Sequence, residues 1–245
     1  MEQFIGKILD LDTAVVQMEG AIKANYSKPT KTNNTTLWTT LDFRLREGES
    51  KISELLSLWN SQIKSIEDDS FSHLVALTEL NLGYNQITSI SKELLSGLRN
   101  LTSLKLLDNK IKSIEDDSFS HLVALTELIL GSNQLTFVSK GMFSGLRNLT
   151  LLSLWNNKIK SIEDDSFSHL IALTILNLGY NQLNFISKGM FSGLRNLTLL
   201  TLWNSQIKSI EDDSFSHLVA LTDLYVCYFY LKCCGLSHDE LSSMS

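Results

Sequence analysis

The sequence predicts an α/β solenoid, a stack of eight rungs with a parallel sheet along one side. Two observations carry this. A unit of 24 residues recurs without insertion, with starts at 53, 77, 101, 125, 149, 173, 197 and 221. Within each unit, leucines at the fourth and sixth positions alternate with other residues, the period-two signature of a short strand with one buried face. A unit this small cannot bury that face alone, so its neighbours must stack on it.

Residues 1–52 read as a cap for the first rung, because an open solenoid end exposes core and an unpaired strand edge. Phe4, Ile8, Leu11, Val15, Met18 and Ile22 follow helical spacing and form one apolar strip. That strip suits a capping helix laid over the stack, or a short coiled-coil seam for self-association. Residues 25–36, rich in Asn, Thr, Ser and Lys, read as a loop, and 41–45 alternate like an extra strand.

Residues 53–232 are the rungs, with the pattern LxxLxLxxNxLxxIxxxxFxxLxx. The fifth copy reads Leu149, Leu152, Leu154, Asn157, Ile159, Ile162, Phe167, Leu170. Asn85, Asn109, Asn133, Asn157 and Asn181 form a ladder at the ninth position. There an amide can both donate to and accept from the backbone as the chain leaves the strand. Phe71, Phe119, Phe143, Phe167, Phe191 and Phe215 form a second ladder, read as a core spine. A 48-residue period overlies the smaller one: residues 63–74 recur unchanged at 111, 159 and 207, so the array grew by copying pairs or was drawn up that way.

These residues resemble the 24-residue leucine-rich repeats of Toll-like receptor ectodomains and variable lymphocyte receptors. The resemblance implies a leucine-rich-repeat solenoid, a horseshoe with a concave parallel β-sheet. It also implies recognition of proteins or microbial molecules and an extracellular setting. The cysteine-rich caps that usually flank such arrays are missing.

The eighth unit decays. Phe229 replaces the ladder asparagine, and residues 225–230 are aromatic and β-prone. This stretch is either a terminal cap strand or an interface through which the C-terminal strand self-associates. Residues 233–245 read as a tail. Cys227, Cys233 and Cys234 are an odd, clustered set that matches neither a disulfide framework nor a zinc ribbon.

Composition bounds the partners. Net charge is −6 with a pI near 5.4, which argues against a phosphate-backbone ligand, so nucleic acid is not expected. The longest apolar run, residues 224–231, is far short of the roughly 20 residues a transmembrane helix needs. Residues 1–12 lack the basic start and apolar stretch of a secretory signal, which leaves a cytoplasmic protein open beside a secreted one.

The candidate site is the solvent face of the sheet: the third, fifth, seventh, eighth and tenth positions. Among the odd-numbered units positions 11–22 are identical, and all differences but one fall in positions 1–10. A binding sheet leaves that record, as does drift after duplication. The face carries Trp59, Tyr84, Lys105, Leu107, Asp108, Trp155, Tyr180, Trp203, Tyr225 and Tyr228 as candidate ligand-binding residues. Exposed Trp and Tyr dominate interface energetics, each hot spot contributing about 2 kcal/mol or more. A glycine precedes or follows each Trp rung (Gly83, Gly131, Gly179), so the indoles could instead simply lie across and cover the sheet.

The outer turns carry charge. Acidic triplets at 67–69, 115–117, 163–165 and 211–213 alternate with Lys92, Lys140 and Lys188. Alternate rungs stand on the order of 10 Å apart, too far for shared ligands at the roughly 2.4 Å a calcium ion needs. A mutually screened surface is expected. His73, His121, His169 and His217 fail as a zinc site for the same reason. Asn100, Asn148 and Asn196 head glycosylation sequons, relevant only to a secreted chain.

The sequence contains no nucleophile–base set or phosphate-cradling loop, so no enzyme, cofactor or metal is implied. The leading expectation is a recognition module that binds a protein or microbial ligand through the sheet, in innate immunity. An intracellular interaction scaffold or signalling regulator is the second, and a structural or designed array without a dedicated ligand the third.

Overall fold

A computed structural model describes residues 55–72 and 74–226, and the backbone of 234–236. The chain divides into two compact units, Met1–Glu49 and Ser50–Ser245. The first unit lies outside the described residues, and with it the expected capping helix, the extra strand at 41–45 and any helix-mediated self-association.

The second unit is a solenoid of seven complete turns and the strand of an eighth. Each turn contributes one short strand to a parallel sheet: β1 (Leu55–Ser57), β2 (Glu79–Asn81), β4 (Ser103–Lys105), β6 (Glu127–Ile129), β8 (Leu151–Ser153), β10 (Ile175–Asn177), β12 (Leu199–Thr201) and β14 (Asp223–Val226). Pairing is parallel and in register throughout, each residue opposite the one 24 later, as in Leu80↔Leu104 and Leu152↔Leu176. Leucines of the fourth and sixth positions point inward, and Leu104, Leu128, Leu152 and Leu176 are fully buried. At about 25 cal/mol per Å² of apolar surface removed from water, this continuous core is the main favourable term.

Two-residue strands line the return path: β3 (Ser89–Ile90), β5 (Ser113–Ile114), β7 (Phe137–Val138), β9 (Ser161–Ile162), β11 (Phe185–Ile186) and β13 (Ser209–Ile210). They pair as β3–β5, β7–β9 and β11–β13. Their inward residues Ile90, Val138 and Ile186 are buried.

The α/β class is corrected. Among the described residues there is no helix, so the fold is a β-solenoid whose return segments are strands and turns. Two features of the sequence stop a helix. Asp69, Asp117, Asp165 and Asp213 sit at φ of 60–63°, and Gly97, Gly145 and Gly193 at 86–88°. Left-handed residues so close to the phenylalanine position limit the segment to single turns, such as Leu122 N to Phe119 O at 2.9 Å.

The phenylalanine spine forms as the spacing predicts. Phe119 and Phe143 stack with centroids 6.3 Å apart, Phe143 and Phe167 at 6.0 Å, and Phe191 and Phe215 at 5.8 Å. The asparagine ladder forms too. The Asn133 amide nitrogen donates to the carbonyls of Leu106, Leu130 and Gly131 at 2.9–3.1 Å, and its oxygen accepts from Ile111 N at 3.0 Å. One side chain thus ties its own turn to the rung before it.

A third ladder went unread in the sequence. Threonines at the second position donate Oγ1 to the preceding threonine's carbonyl, from Thr102 on Thr78 O at 3.0 Å to Thr222 on Thr198 O at 3.1 Å. At the far end, β15 (Cys234–Leu236) runs antiparallel to β14, with Val226 opposite Cys234. The tail expected from 233 therefore contributes a strand, and it occupies the edge of β14.

The seventh turn has Ser205 where the five turns before it have the ladder asparagine, and the buried Ser205 Oγ has no hydrogen-bond partner among the described residues. Ser205→Asn is expected to stabilise the array by about 1 kcal/mol, and Asn133→Ala to destabilise it by about 2–4 kcal/mol. Chemical unfolding followed by circular dichroism measures both, and an unchanged midpoint in Asn133→Ala would remove the ladder from its structural role.

Candidate binding face

The turn after each strand decides how the face is built. Its eighth-position residues Asn60, Tyr84, Asp108, Ser132, Asn156, Tyr180 and Asn204 all lie at φ of 51–55°. Asn, Asp and, less strongly, Ser suit that left-handed conformation, because a short polar side chain can bond locally. Tyrosine has no such compensation, and strain of this kind costs on the order of 1–3 kcal/mol. Tyr84 and Tyr180 are nevertheless exposed, by 42% and 38%.

Both tyrosines lean on indoles. Tyr180 lies between Trp155 and Trp203, its ring centroid 6.3 Å from the first and 4.4 Å from the second, at interplanar angles of 68° and 67°. Tyr84 meets Trp59 at 5.1 Å. The glycines make room: a β-carbon at Gly131 would collide with the Trp155 indole, and one at Gly179 would stand 3.0 Å from that of Trp203. The indoles of Trp155 and Trp203 thus lie back across the preceding rung. They do not bury themselves there: Trp203 stays 40% exposed and Trp155 half-buried.

The candidate residues fall into two groups. Trp155, Tyr180 and Trp203 are one cluster over rungs five to seven, and Tyr225 adjoins it, opposite Thr201 in register. Trp59 and Tyr84 are a separate pair over rungs one and two. Between them lie Lys105 and Leu107, half-buried, and Asp108, exposed. Tyr228 lies outside the described residues.

Sequence reading placed the third position on this face but did not single out its aliphatic residues. Leu151, Ile175 and Leu199 are opposite one another in register and half-buried on the same face as the aromatic cluster. Their signal was present: the same position holds Glu79, Ser103 and Glu127 in rungs two to four. The face is therefore charged over rungs two to four. Over rungs five to seven its third, fifth, seventh and eighth positions carry no ionisable group except the Tyr180 phenol.

The outer turn behaves as a screened surface. Lys92 pairs with Asp117 at 3.6 Å, Lys140 with Asp165 at 3.1 Å and Lys188 with Asp213 at 2.9 Å. Asp68, Asp116 and Asp164 accept short hydrogen bonds from the hydroxyls of Ser91, Ser139 and Ser187. Among the described residues no group of three or more His, Cys, Asp or Glu side chains could hold a metal ion. The Lys140 ammonium bonded to Asp165 holds that carboxyl below its ordinary range, and Asp213 raises Lys188. The sequon asparagines are exposed, and the amide nitrogens of Asn100, Asn148 and Asn196 each donate to a carbonyl of the preceding rung at 2.8 Å. No described helix is long and apolar enough to cross a membrane.

Stacked, in-register rungs with an open sheet face define a repeat-solenoid protein. The leucine rich repeat family matches residues 54–111, 99–154 and 147–204, and the chain belongs to that family. Among solved structures it is similar to TLR13 in a TLR13–ssRNA13 complex, with TM-score 0.67 and 35% identity over 72% of this chain and 26% of that one. It is also similar to a chain of the Toll–Spatzle complex of Drosophila, with TM-score 0.58 and 26% identity over 67% of this chain and 25% of that one. The chain thus spans about a quarter of each. No curated protein sequence matches it.

One of these neighbours is a complex with single-stranded RNA. The exclusion of nucleic acid is therefore withdrawn. Net charge is a sum over the whole surface, whereas a ligand meets only the residues beneath it.

Two outcomes follow from this geometry. Gly131→Ala is expected to lift the Trp155 indole off its neighbour, shifting tryptophan emission to the red, and an unmoved spectrum would contradict the packing. In Lys140→Met, Asp165 loses its main stabilising partner, so an NMR titration should find its carboxyl titrating at a higher pH than in the parent. Because the folded pKa is lowered, the pair's contribution is present at neutral pH and fades as acid takes the medium below the ordinary value of 3.8.

Proposed function

We propose that this chain is a non-enzymatic recognition module whose open sheet face binds a protein or microbial surface ligand, in an extracellular, innate-immune setting. The observation that carries the reading is Tyr180. It holds a left-handed conformation that suits asparagine better, and it does so in the open, between two indoles. A residue kept against its backbone preference at an exposed site is serving something other than stability.

Trp155, Tyr180 and Trp203 are the anchors, and Leu151, Ile175 and Leu199 extend the apolar area beside them. Lys105, Leu107, Asp108, Trp59 and Tyr84 supply orientation over the earlier rungs, and Tyr225 continues the face past the seventh. The family and the Toll neighbour, whose complex is described as a hub in development and innate immunity, support this assignment.

The test compares capture from extracellular fluid and microbial surface extracts by the parent chain and by Trp155→Ala/Tyr180→Ala/Trp203→Ala, with bound species identified by mass spectrometry. The parent should retain partners that the triple variant loses, with affinity reduced at least about a hundredfold. Identical captured sets would overturn the claim. Tyr180→Asn separates binding from covering. Relief of strain should offset the lost ring contacts to within about 1 kcal/mol, while binding still falls. A large loss of stability with binding intact would make the cluster a cover for the sheet.

A further inference from the structure

Beyond the sheet face, the described surface carries two further files of exposed apolar side chains, on different stretches of the turn. At the twenty-third position, just before each strand, Val75, Val123, Ile171 and Val219 are 53–69% exposed. Arg99, Arg147 and Arg195 occupy the same position in the intervening rungs, exposed and in no ion pair among the described residues. This file alternates apolar and cationic, one residue per rung.

The second file runs along the return strands. Phe137 and Phe185, in rungs four and six, are 39% and 42% exposed. They alternate with the acidic triplets of rungs three, five and seven. The lysines beside those triplets only partly neutralise them. For rungs three and four, Lys112, Glu115, Asp116, Asp117 and Lys140 leave a net charge of −1, against +1 from Arg147 on the other file.

Both files step by the same two-rung repeat, because both descend from the same 48-residue duplication. They are offset from each other by one rung: cations stand on even rungs and acids on odd, apolar side chains on odd and phenylalanines on even. Sliding a second copy by one rung, about 4.8 Å, would set Arg99, Arg147 and Arg195 against the acids of rungs three, five and seven. The same slide would set Val123 against Phe137 and Ile171 against Phe185. Charge and apolar area would be matched together at a single displacement.

We infer that these two edges bind each other between copies of this chain, side by side, parallel and one rung out of step. Because the edges are different surfaces, the contact is heterologous and does not close, so it propagates into rows. The occupant is a second copy, since only the same molecule supplies both the pitch and the opposite phase.

Sedimentation velocity on the full chain tests this across a broad concentration range. At low ionic strength the weight-average mass should rise with concentration, and salt should reverse it. Arg99→Glu/Arg147→Glu/Arg195→Glu should weaken association by roughly tenfold or more. Phe137→Lys/Phe185→Lys should weaken it as well, since it blocks the other edge, with circular dichroism checking that both variants are folded. Each blocked chain keeps one good edge, so an equal mixture of the two should form dimers and nothing larger. A parent that stays monomeric at every concentration, a mixture no more associated than its components, or an arginine variant that associates like the parent would each overturn the proposal. The last of these would assign association to other parts of the chain.

Discussion

The structure depends on one amide in each turn from the second to the sixth. Each ladder asparagine donates to carbonyls in its own turn and to one in the rung before, as Asn157 does to Leu154 O and Leu130 O, both at 3.0 Å. Its oxygen accepts from the backbone of that preceding rung, as from Leu135 N at 3.0 Å. These partners lie 27, 22 and 3 residues away in sequence, so the bonds close only if the unit length holds. An inserted residue would leave buried peptide groups unsatisfied on two rungs at once. That is a physical reason for a 24-residue period without exception, and for the sheet's strict register.

The same constraint builds the face. With the ninth side chain turned inward, the backbone at the eighth must go left-handed to bring it there, and the seventh is left at the strand's open end. Asparagine and aspartate meet this demand at little cost, which explains Asn60, Asp108, Asn156 and Asn204. The two tyrosines are placed by the fold and opposed by their own backbone preference. Their indole neighbours offset part of that, since aromatic pairs contribute about 0.5–1.5 kcal/mol beyond the area they bury. Gly131 and Gly179 are the other half of the arrangement, because a β-carbon there would press on the indoles of Trp155 and Trp203.

Much of this was legible in the residues. The period located every rung strand, the asparagine and phenylalanine ladders follow from their columns, and alternating acid and lysine rungs do pair. What escaped has physical causes. The helix content implied by the α/β class failed because single left-handed residues, invisible to periodicity, interrupt the return path. The threonine ladder escaped because a hydroxyl that bonds a carbonyl in the preceding rung looks in one dimension like any surface threonine. Leu151, Ile175 and Leu199 stand 24 residues apart, so in one dimension they look like three separate surface aliphatics. Only the register shows three aliphatic residues becoming one continuous surface. Charge decides least: a net of −6 describes the whole chain and not the particular residues a ligand touches.

Regularity has a consequence that a globular core does not impose. In a solenoid every surface position becomes a file, so any residue repeated for packing reasons is also displayed at fixed pitch. Duplication by pairs gives each file a two-rung alternation, and all files inherit the same wavelength. Two files of opposite character and opposite phase are then complementary without further change in sequence. An array copied in pairs therefore tends toward self-matching edges unless a rung departs from the repeat. The strand segments have departed, while positions 11–22 of the odd units remain identical. Among the odd units, divergence is concentrated on the face proposed for ligand and withheld from the acidic return turns proposed for self-association, so those turns keep the fixed pitch that a repeating contact requires.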